Sequence, residues 1–200
     1  SACRTAGGAF GGTLKNTEVS DLGAAVLKEA VIRSGLKPEE IEETIMGNGW
    51  QAGAGPNTAR MAVWKTEILR HSPAFTVNKR CGSGLLSVML AADKIRLGDC
   101  KAVAAGGMES ASQVPYVLPE ARWGHTLGEK KLPDILHKDG LNCPLAGMFM
   151  GETGELLADE FGISREEQDA FALGSHRKAV EAIKKGWFKD EIVTLKIYGR

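Results

Sequence analysis

One sulfur stands in a setting suited to nucleophilic chemistry. The stretch Asn78-Lys79-Arg80-Cys81-Gly82-Ser83-Gly84-Leu85-Leu86-Ser87-Val88 reads as a β-strand end, a cysteine, two small glycines and an apolar helix. A cysteine at a helix N-terminus faces unpaired backbone N–H groups and the positive end of the helix dipole. Both favour thiolate over thiol, and so raise the fraction of nucleophile near neutral pH. Lys79 and Arg80 can add to that field, although strand alternation turns at least one of them away. Gly82 and Gly84 are expected to leave room for a substrate carbonyl and acyl group against the backbone. The Cys81 amide is a natural donor to an oxyanion, so the arrangement resembles a nucleophile elbow with sulfur in place of oxygen. Against this stands the commoner use of a lone cysteine at a strand end, as a small buried hydrophobe. Cys3, Cys100 and Cys143 have no comparable setting and read as structural.

Other chemistry-bearing patterns are weaker. Gly106-Gly107-Met108-Glu109-Ser110 follows a small-residue strand, where α/β proteins place active-site loops, yet a plain turn accounts for the glycines equally well. Neither G-x-x-x-x-G-K-[ST] nor a helix-opening G-x-G-x-x-G is present, which leaves nucleotide binding of those types unsupported. The four cysteines lie far apart with no C-x-x-C pair, so neither a metal site nor a disulfide scaffold is expected. A reducing, cytoplasmic compartment fits that usage. His71, His125, His137 and His176 fall in a pre-strand turn, twice in an irregular stretch, and in a helix, and read as solvated or satisfied side chains.

A cysteine placed in this way needs a sheet and a helix to hold it. A helix is predicted from Asp21 to Ile32, with Ser20 as its cap and Gly35 past its end. Pro38 opens a short acidic turn, and residues 43–47 form a buried strand that enters the loop Gly53-Ala54-Gly55-Pro56. A helix from about Asn57 to Ile68, a strand over 74–78 and a helix from Gly82 to Leu97 follow, the last closed by Gly98. Residues 101–105 form a further strand, rich in small residues and so expected to be buried on both faces. Strands alternating with helices at this spacing argue for an α/β domain with a mostly parallel sheet over residues 1–112. From 113 to 147 the chain is irregular, broken by Pro115, Pro119, Pro133 and Pro144. Helices return over 151–161 and after Ser164, where Ser164 and Glu167 form a capping box, and 191–197 is strand-like. Residues 113–200 are therefore expected to form a second, loop-rich domain.

Composition excludes several classes. Twenty-five basic and 25 acidic residues balance, leaving no net pull on nucleic acid or an anionic membrane. No stretch approaches the roughly 20 apolar residues that span a bilayer, and the start is too polar for a secretory signal. Two hundred residues can bury a substantial core. The abrupt start suggests that a short leading segment is absent, and the stop at Arg200 hints at truncation.

Several segments together resemble the thiolase family. Residues 4–12, Arg-Thr-Ala-Gly-Gly-Ala-Phe-Gly-Gly, resemble its first strand and loop. Residues 47–60, from Gly47-Asn48-Gly49-Trp50-Gln51 to Asn57-Thr58-Ala59-Arg60, resemble G-N-V-x-Q-A-G-x-G-Q-N-x-A-R. Residues 78–84 are similar to the segment that carries the acyl-accepting cysteine, and 105–112 to A-G-G-M-E-S-M-S. Residues 150–155 and 161–169 are similar to the M-G-x-T-A-E and S-R-E-E-Q-D stretches. The likeness covers essentially the whole chain, in order.

The resemblance implies a layered α/β/α N-terminal domain with a mostly parallel, mixed sheet, plus part of a loop domain. It implies an acyltransferase of fatty acid metabolism in which Cys81 is acylated, its backbone N–H holding the oxyanion. Acyl groups would be exchanged with coenzyme A, in acetoacetyl-CoA synthesis or 3-ketoacyl-CoA thiolysis. Leu141 and Met150 match positions lining the pantetheine and acyl pocket. Phe149 stands where biosynthetic members have a CoA-thioester-binding histidine, which points to another acyl chain or a divergent subfamily. No metal or prosthetic group is implied; coenzyme A thioesters are substrates. The family's N-E-A, H-P-x-G and C-x-G-G segments do not occur here, so this piece is expected to be inactive alone. A C-terminal half or complementary chain, in a homodimer or homotetramer, would supply them. The competing expectation is a non-catalytic subunit that binds acyl-CoA or a partner; a β-ketoacyl synthase, with a different cysteine motif, ranks below both.

Overall fold

The computed structural model describes residues 1–124 and 126–195. His125 and the last part of the expected 191–197 strand fall outside them; within the described part, only Ile192–Val193 is extended. The chain divides into two compact units, Ser1–Gly140 with Val193–Arg200, and Leu141–Ile192.

In the first unit, β2 (Glu43–Gly47) lies between β3 (Ala74–Val77) and β4 (Val103–Gly107), and both neighbours run parallel to it. The register pairs Gly47 with Val77 on one side and with Gly107 on the other, so all three strands end in one row. Alternation sorts the faces. Met46 is fully buried in a cluster with Leu27 and Val31 of α1 (Val19–Ser34) and Ala59, Ala62 and Val63 of α2 (Thr58–Thr66). The opposite face, that of Gly47, takes α3 (Ser83–Leu97). The result is the expected layered α/β/α arrangement around a parallel sheet.

The departures from expectation have local causes. α1 begins at Val19, ahead of the expected cap, and Ser20 is buried within the helix. Glu18, at the cap position, sends its carboxylate to Lys65 Nζ at 2.6 Å instead of to the helix amides. β4 continues through Gly106 and Gly107, which pair with Met46 and Gly47 and are not a turn. Residues 103–106 are half-buried and Gly107 is exposed, not enclosed on both faces, because β4 is an outer strand of the three.

Asn57 shows why the N-x-A-R stretch sits where it does. Its Oδ1 accepts from the Arg60 N–H at 3.0 Å, capping α2, and from the Thr76 hydroxyl at 2.9 Å. Its Nδ2 donates to the Ala74 carbonyl at 3.0 Å, so one side chain ties α2 to β3. Arg60 completes the joint through the Ser72 and Arg70 carbonyls, each at 2.8 Å. Asn57→Ala is expected to cost about 0.5–2 kcal/mol, the range for a lost helix cap, read as a lower midpoint in urea denaturation.

The second unit is built differently. β5 (Asn142–Cys143) pairs antiparallel with β6 (Met148–Phe149), followed by α4 (Met150–Phe161) and α5 (Arg165–Lys184). The predicted capping box is present: Ser164 Oγ accepts from the Glu167 N–H at 3.2 Å, and the Glu167 carboxylate accepts from the Ser164 N–H at 2.9 Å. Leu156, Phe161, Phe171, Ile183 and Trp187 are all exposed, and Ala182 is the only fully buried residue among those described in this unit. No described helix is long and apolar enough to cross a membrane.

Candidate active site

Cys81 sits on the turn between β3 and α3, and the residue is exposed. The turn is held by its own atoms. The Ser83 hydroxyl accepts from the Lys79 N–H at 2.8 Å and donates to the Arg80 carbonyl at 2.6 Å. The Gly82 N–H reaches the Lys79 carbonyl and the Ser83 N–H that of Arg80. None of these bonds uses the Cys81 amide. Arg80, just before it, has φ 51°, in the left-handed region that disfavours residues with a Cβ. Such a backbone persists only where its surroundings enforce it.

Two layers of contact do so. Beneath, the first turn of α3 lies directly on the sheet. A Cβ on Gly47 would come within 2.4 Å of the Ser83 carbonyl carbon and 2.5 Å of the Gly84 nitrogen. A Cβ on Gly107 would lie 3.1 Å from Gly84 Cα. Gly84 thus faces the backbone of β4, so the room expected there for an acyl group is used for helix–sheet packing. Ser87 reinforces the joint, its hydroxyl 2.6 Å from both the Gly84 and Gly106 carbonyl oxygens. The second layer lies beside the turn. The Gly49 carbonyl accepts from Asn78 Nδ2 at 3.1 Å and from the Arg80 guanidinium at 3.0 Å, and that guanidinium lies over the Trp50 ring. Arg80 is therefore committed to the 48–50 loop.

That loop is fastened in turn by Glu109. Its carboxylate accepts from the Gly49 N–H at 2.7 Å, the Trp50 N–H at 3.0 Å and Asn48 Nδ2 at 2.7 Å. Desolvation of the carboxylate against the loop raises its pKa above the ordinary 4.5, outweighing the opposing pull of the amides, Arg80 and Asn48. The folded carboxyl thus holds its proton more tightly than an unfolded one. Its contribution to stability is complete below the ordinary value and is lost as pH rises through the raised one. Glu109→Gln is expected to flatten that part of a plot of Tm against pH; an unchanged slope would contradict this assignment.

Gly47, Asn78, Ser83 and Glu109 lie in stretches that resemble the family's, but what each of them, and Ser87, does for the Cys81 turn is visible only in the fold. Comparison with known proteins decides the kinship. The model of the thiolase N-terminal domain matches residues 1–200. The chain belongs to the thiolase family. It is 47% identical over its whole length to an acetyl-CoA acetyltransferase of Escherichia coli, and 49% identical over 98% of its length to one of Cupriavidus necator. The crystal structure of an acetyl-CoA acetyltransferase from Bacillus anthracis matches all of it with a TM-score of 0.96 at 40% identity. The chain spans about half the length of each of these relatives, 51%, 50% and 50% respectively.

The other residues that the thiolase likeness singles out lie in the second unit. Phe149 ends β6 half-buried, and Met150 opens α4 half-exposed. The hairpin pairs Asn142 with Phe149, and Leu141 and Met150 lie just outside that ladder, at the end of the helical turn His137–Leu141 and at the start of α4. Of the described histidines, His71 lies in the turn before β3, His137 opens a short helical turn (His137–Leu141) within the stretch expected to be irregular, and His176 is on α5; none is in the Cys81 turn. Among the described residues no cluster of His, Cys, Asp and Glu could hold a metal ion.

Proposed function

We infer that this chain carries the acyl-accepting part of a thiolase-type acyltransferase, with Cys81 as the nucleophile. The observation that carries the reading is an exposed cysteine on a braced turn immediately ahead of the 15-residue helix α3. Attack on an acyl-CoA carbonyl forms a carbon–sulfur bond to Cys81 and a tetrahedral oxyanion, which the Cys81 N–H would receive. Collapse breaks the bond to the coenzyme A sulfur, which leaves as thiolate. A second acceptor then takes the acyl group: coenzyme A in thiolysis, or the carbanion of another acetyl-CoA in condensation. Coenzyme A serves as substrate throughout, with no prosthetic group called upon.

The proton transfers need groups that the Cys81 turn lacks, and a complementary half of the enzyme would supply them. The exposed apolar faces of α3 (Leu85, Val88, Met89) and of the second unit are surfaces for that half or for further subunits of a homo-oligomer. Residues 1–112 would form the nucleophile-bearing domain, and 113–200 part of the loop domain over the substrate, with Leu141, Phe149 and Met150 lining the acyl and pantetheine path. Phe149 in place of a histidine favours an acyl group other than acetyl. Four free cysteines suit a cytoplasmic enzyme, and the thiolase likeness suggests a place in fatty acid metabolism.

The test is isotope exchange. With labelled coenzyme A and unlabelled acyl-CoA, and no second acceptor, the complete gene product is expected to move label into acyl-CoA, the mark of a covalent half-reaction. Binding without exchange would replace this reading with that of a non-catalytic acyl-CoA-binding subunit.

A further inference from the structure

We propose that Glu109 is a positioning residue for the Cys81 thiol, acting through the peptide group between Gly49 and Trp50. A trans peptide points its N–H and its C=O in opposite directions. Here the Trp50 N–H of that group donates to Glu109 Oε1 at 3.0 Å. Its other end, the Gly49 carbonyl, accepts from Asn78 Nδ2 at 3.1 Å and from the Arg80 guanidinium at 3.0 Å. One flat, rigid group thus bridges the carboxylate after β4 and the turn that presents Cys81. Glu109 fixes its orientation twice over, since the Gly49 N–H and Asn48 Nδ2 also donate to the carboxylate, each at 2.7 Å.

The far end of the bridge holds the two groups that shape the backbone before Cys81. Asn78 Oδ1 accepts from the Arg80 N–H at 3.1 Å, while its Nδ2 is on the Gly49 carbonyl. Arg80, at φ 51°, has its side chain on the same carbonyl and over the Trp50 ring, 5.8 Å from the centroid. If the Gly49–Trp50 peptide rotates, Asn78 and Arg80 lose their shared acceptor. The left-handed turn then has less to enforce it, and Cys81 moves off the start of α3. Glutamate suits the task because three N–H groups converge on its two oxygens. A glutamine would turn an NH2 toward one of them.

This inference rests on Cys81 as acyl carrier, but its test does not depend on turnover. Alkylation of Cys81 by iodoacetamide, read at the Cys81 peptide by mass spectrometry, is compared across pH in the complete gene product. Wild type, Glu109→Gln, Arg80→Met and the double variant are used, with far-UV circular dichroism as a check on folding. Loss of the braced turn is expected to slow alkylation by about threefold or more in each single variant, since the reactivity of a cysteine depends on the access and setting of its sulfur. Because both substitutions break one bridge, the double variant is expected to be no slower than the slower single one. Where exchange is measurable, kcat falls by about tenfold or more with KM little changed, as for a misplaced reacting group. A folded Glu109→Gln protein with a wild-type alkylation profile overturns the proposal, as do single effects that multiply in the double variant. If Glu109→Gln does not fold, Arg80→Met decides alone, and a wild-type profile there is equally fatal. Absence of exchange in the wild type, by contrast, bears on the acyl-transfer reading and leaves the alkylation result to stand.

Discussion

Cys81→Ala is expected to abolish acyl exchange, lowering kcat by at least about a thousandfold, while the protein keeps its fold and its affinity for acyl-CoA. Loss of a covalent nucleophile removes the route itself, and what remains reflects binding and oxyanion stabilisation alone. The side chain is exposed and takes no part in the bonds described for the turn, which run through Ser83, Gly82 and Asn78. Its removal should therefore leave Tm within about 0.5 kcal/mol equivalent of the wild type, as for surface substitutions. Cys81→Ser is expected to be nearly as inactive, because a hydroxyl is intrinsically a far weaker nucleophile than a thiol. Steady-state kinetics with calorimetry on the same preparations separates the two effects. A large loss of Tm in Cys81→Ala would mean that the sulfur is structural after all.

Gly47→Ala should be the most damaging change in the scaffold. The added methyl would meet the Ser83 carbonyl carbon at 2.4 Å and its oxygen at 2.7 Å, which are backbone atoms of the first turn of α3 and cannot swing aside. Gly47 is also clamped between Val77 and Gly107 in the sheet, so β2 cannot yield sideways. Either the helix lifts from the sheet or the strands separate. Overpacking of this kind costs about 1–3 kcal/mol. Lifting α3 also carries Cys81 away from its place, and a shift of about 1 Å can reduce turnover about a hundredfold. Both losses together are expected, in denaturation midpoint and in kcat. The contrasting control is Gly98→Ala at the other end of α3. Gly98 has φ 79° but nothing within 4 Å of an added Cβ, so the change should cost stability through backbone strain while leaving Cys81 in place.

How much of this was open to reading from the sequence follows from how local each cause is. The Ser164 box and the left-handed glycines 35 and 98 that end α1 and α3 are interactions within a few residues, and they lie where the pattern places them. The three parallel strands and the helix after Cys81 are likewise set by short apolar runs and by the small residues that punctuate them. Ser20 is a different matter. It has the composition of a cap, but Glu18 pairs with Lys65, 47 positions away, and α1 starts earlier. The same holds for Gly84, whose smallness looks like room for a substrate until β4 is seen against it. The bracing of the turn by Glu109 spans about 60 positions and runs through backbone atoms, which carry no side-chain signature at all. A sequence can nominate the sulfur; the atoms that aim it belong to the fold.

The most direct test is to look for the acyl group itself. The complete gene product is mixed with acyl-CoA, quenched in acid, digested and mapped by mass spectrometry. The account predicts one acylated site, on the peptide that contains Cys81, labile to hydroxylamine as a thioester is and absent from Cys81→Ala. Label on another residue, or a stable adduct that persists when Cys81 is replaced, would contradict it.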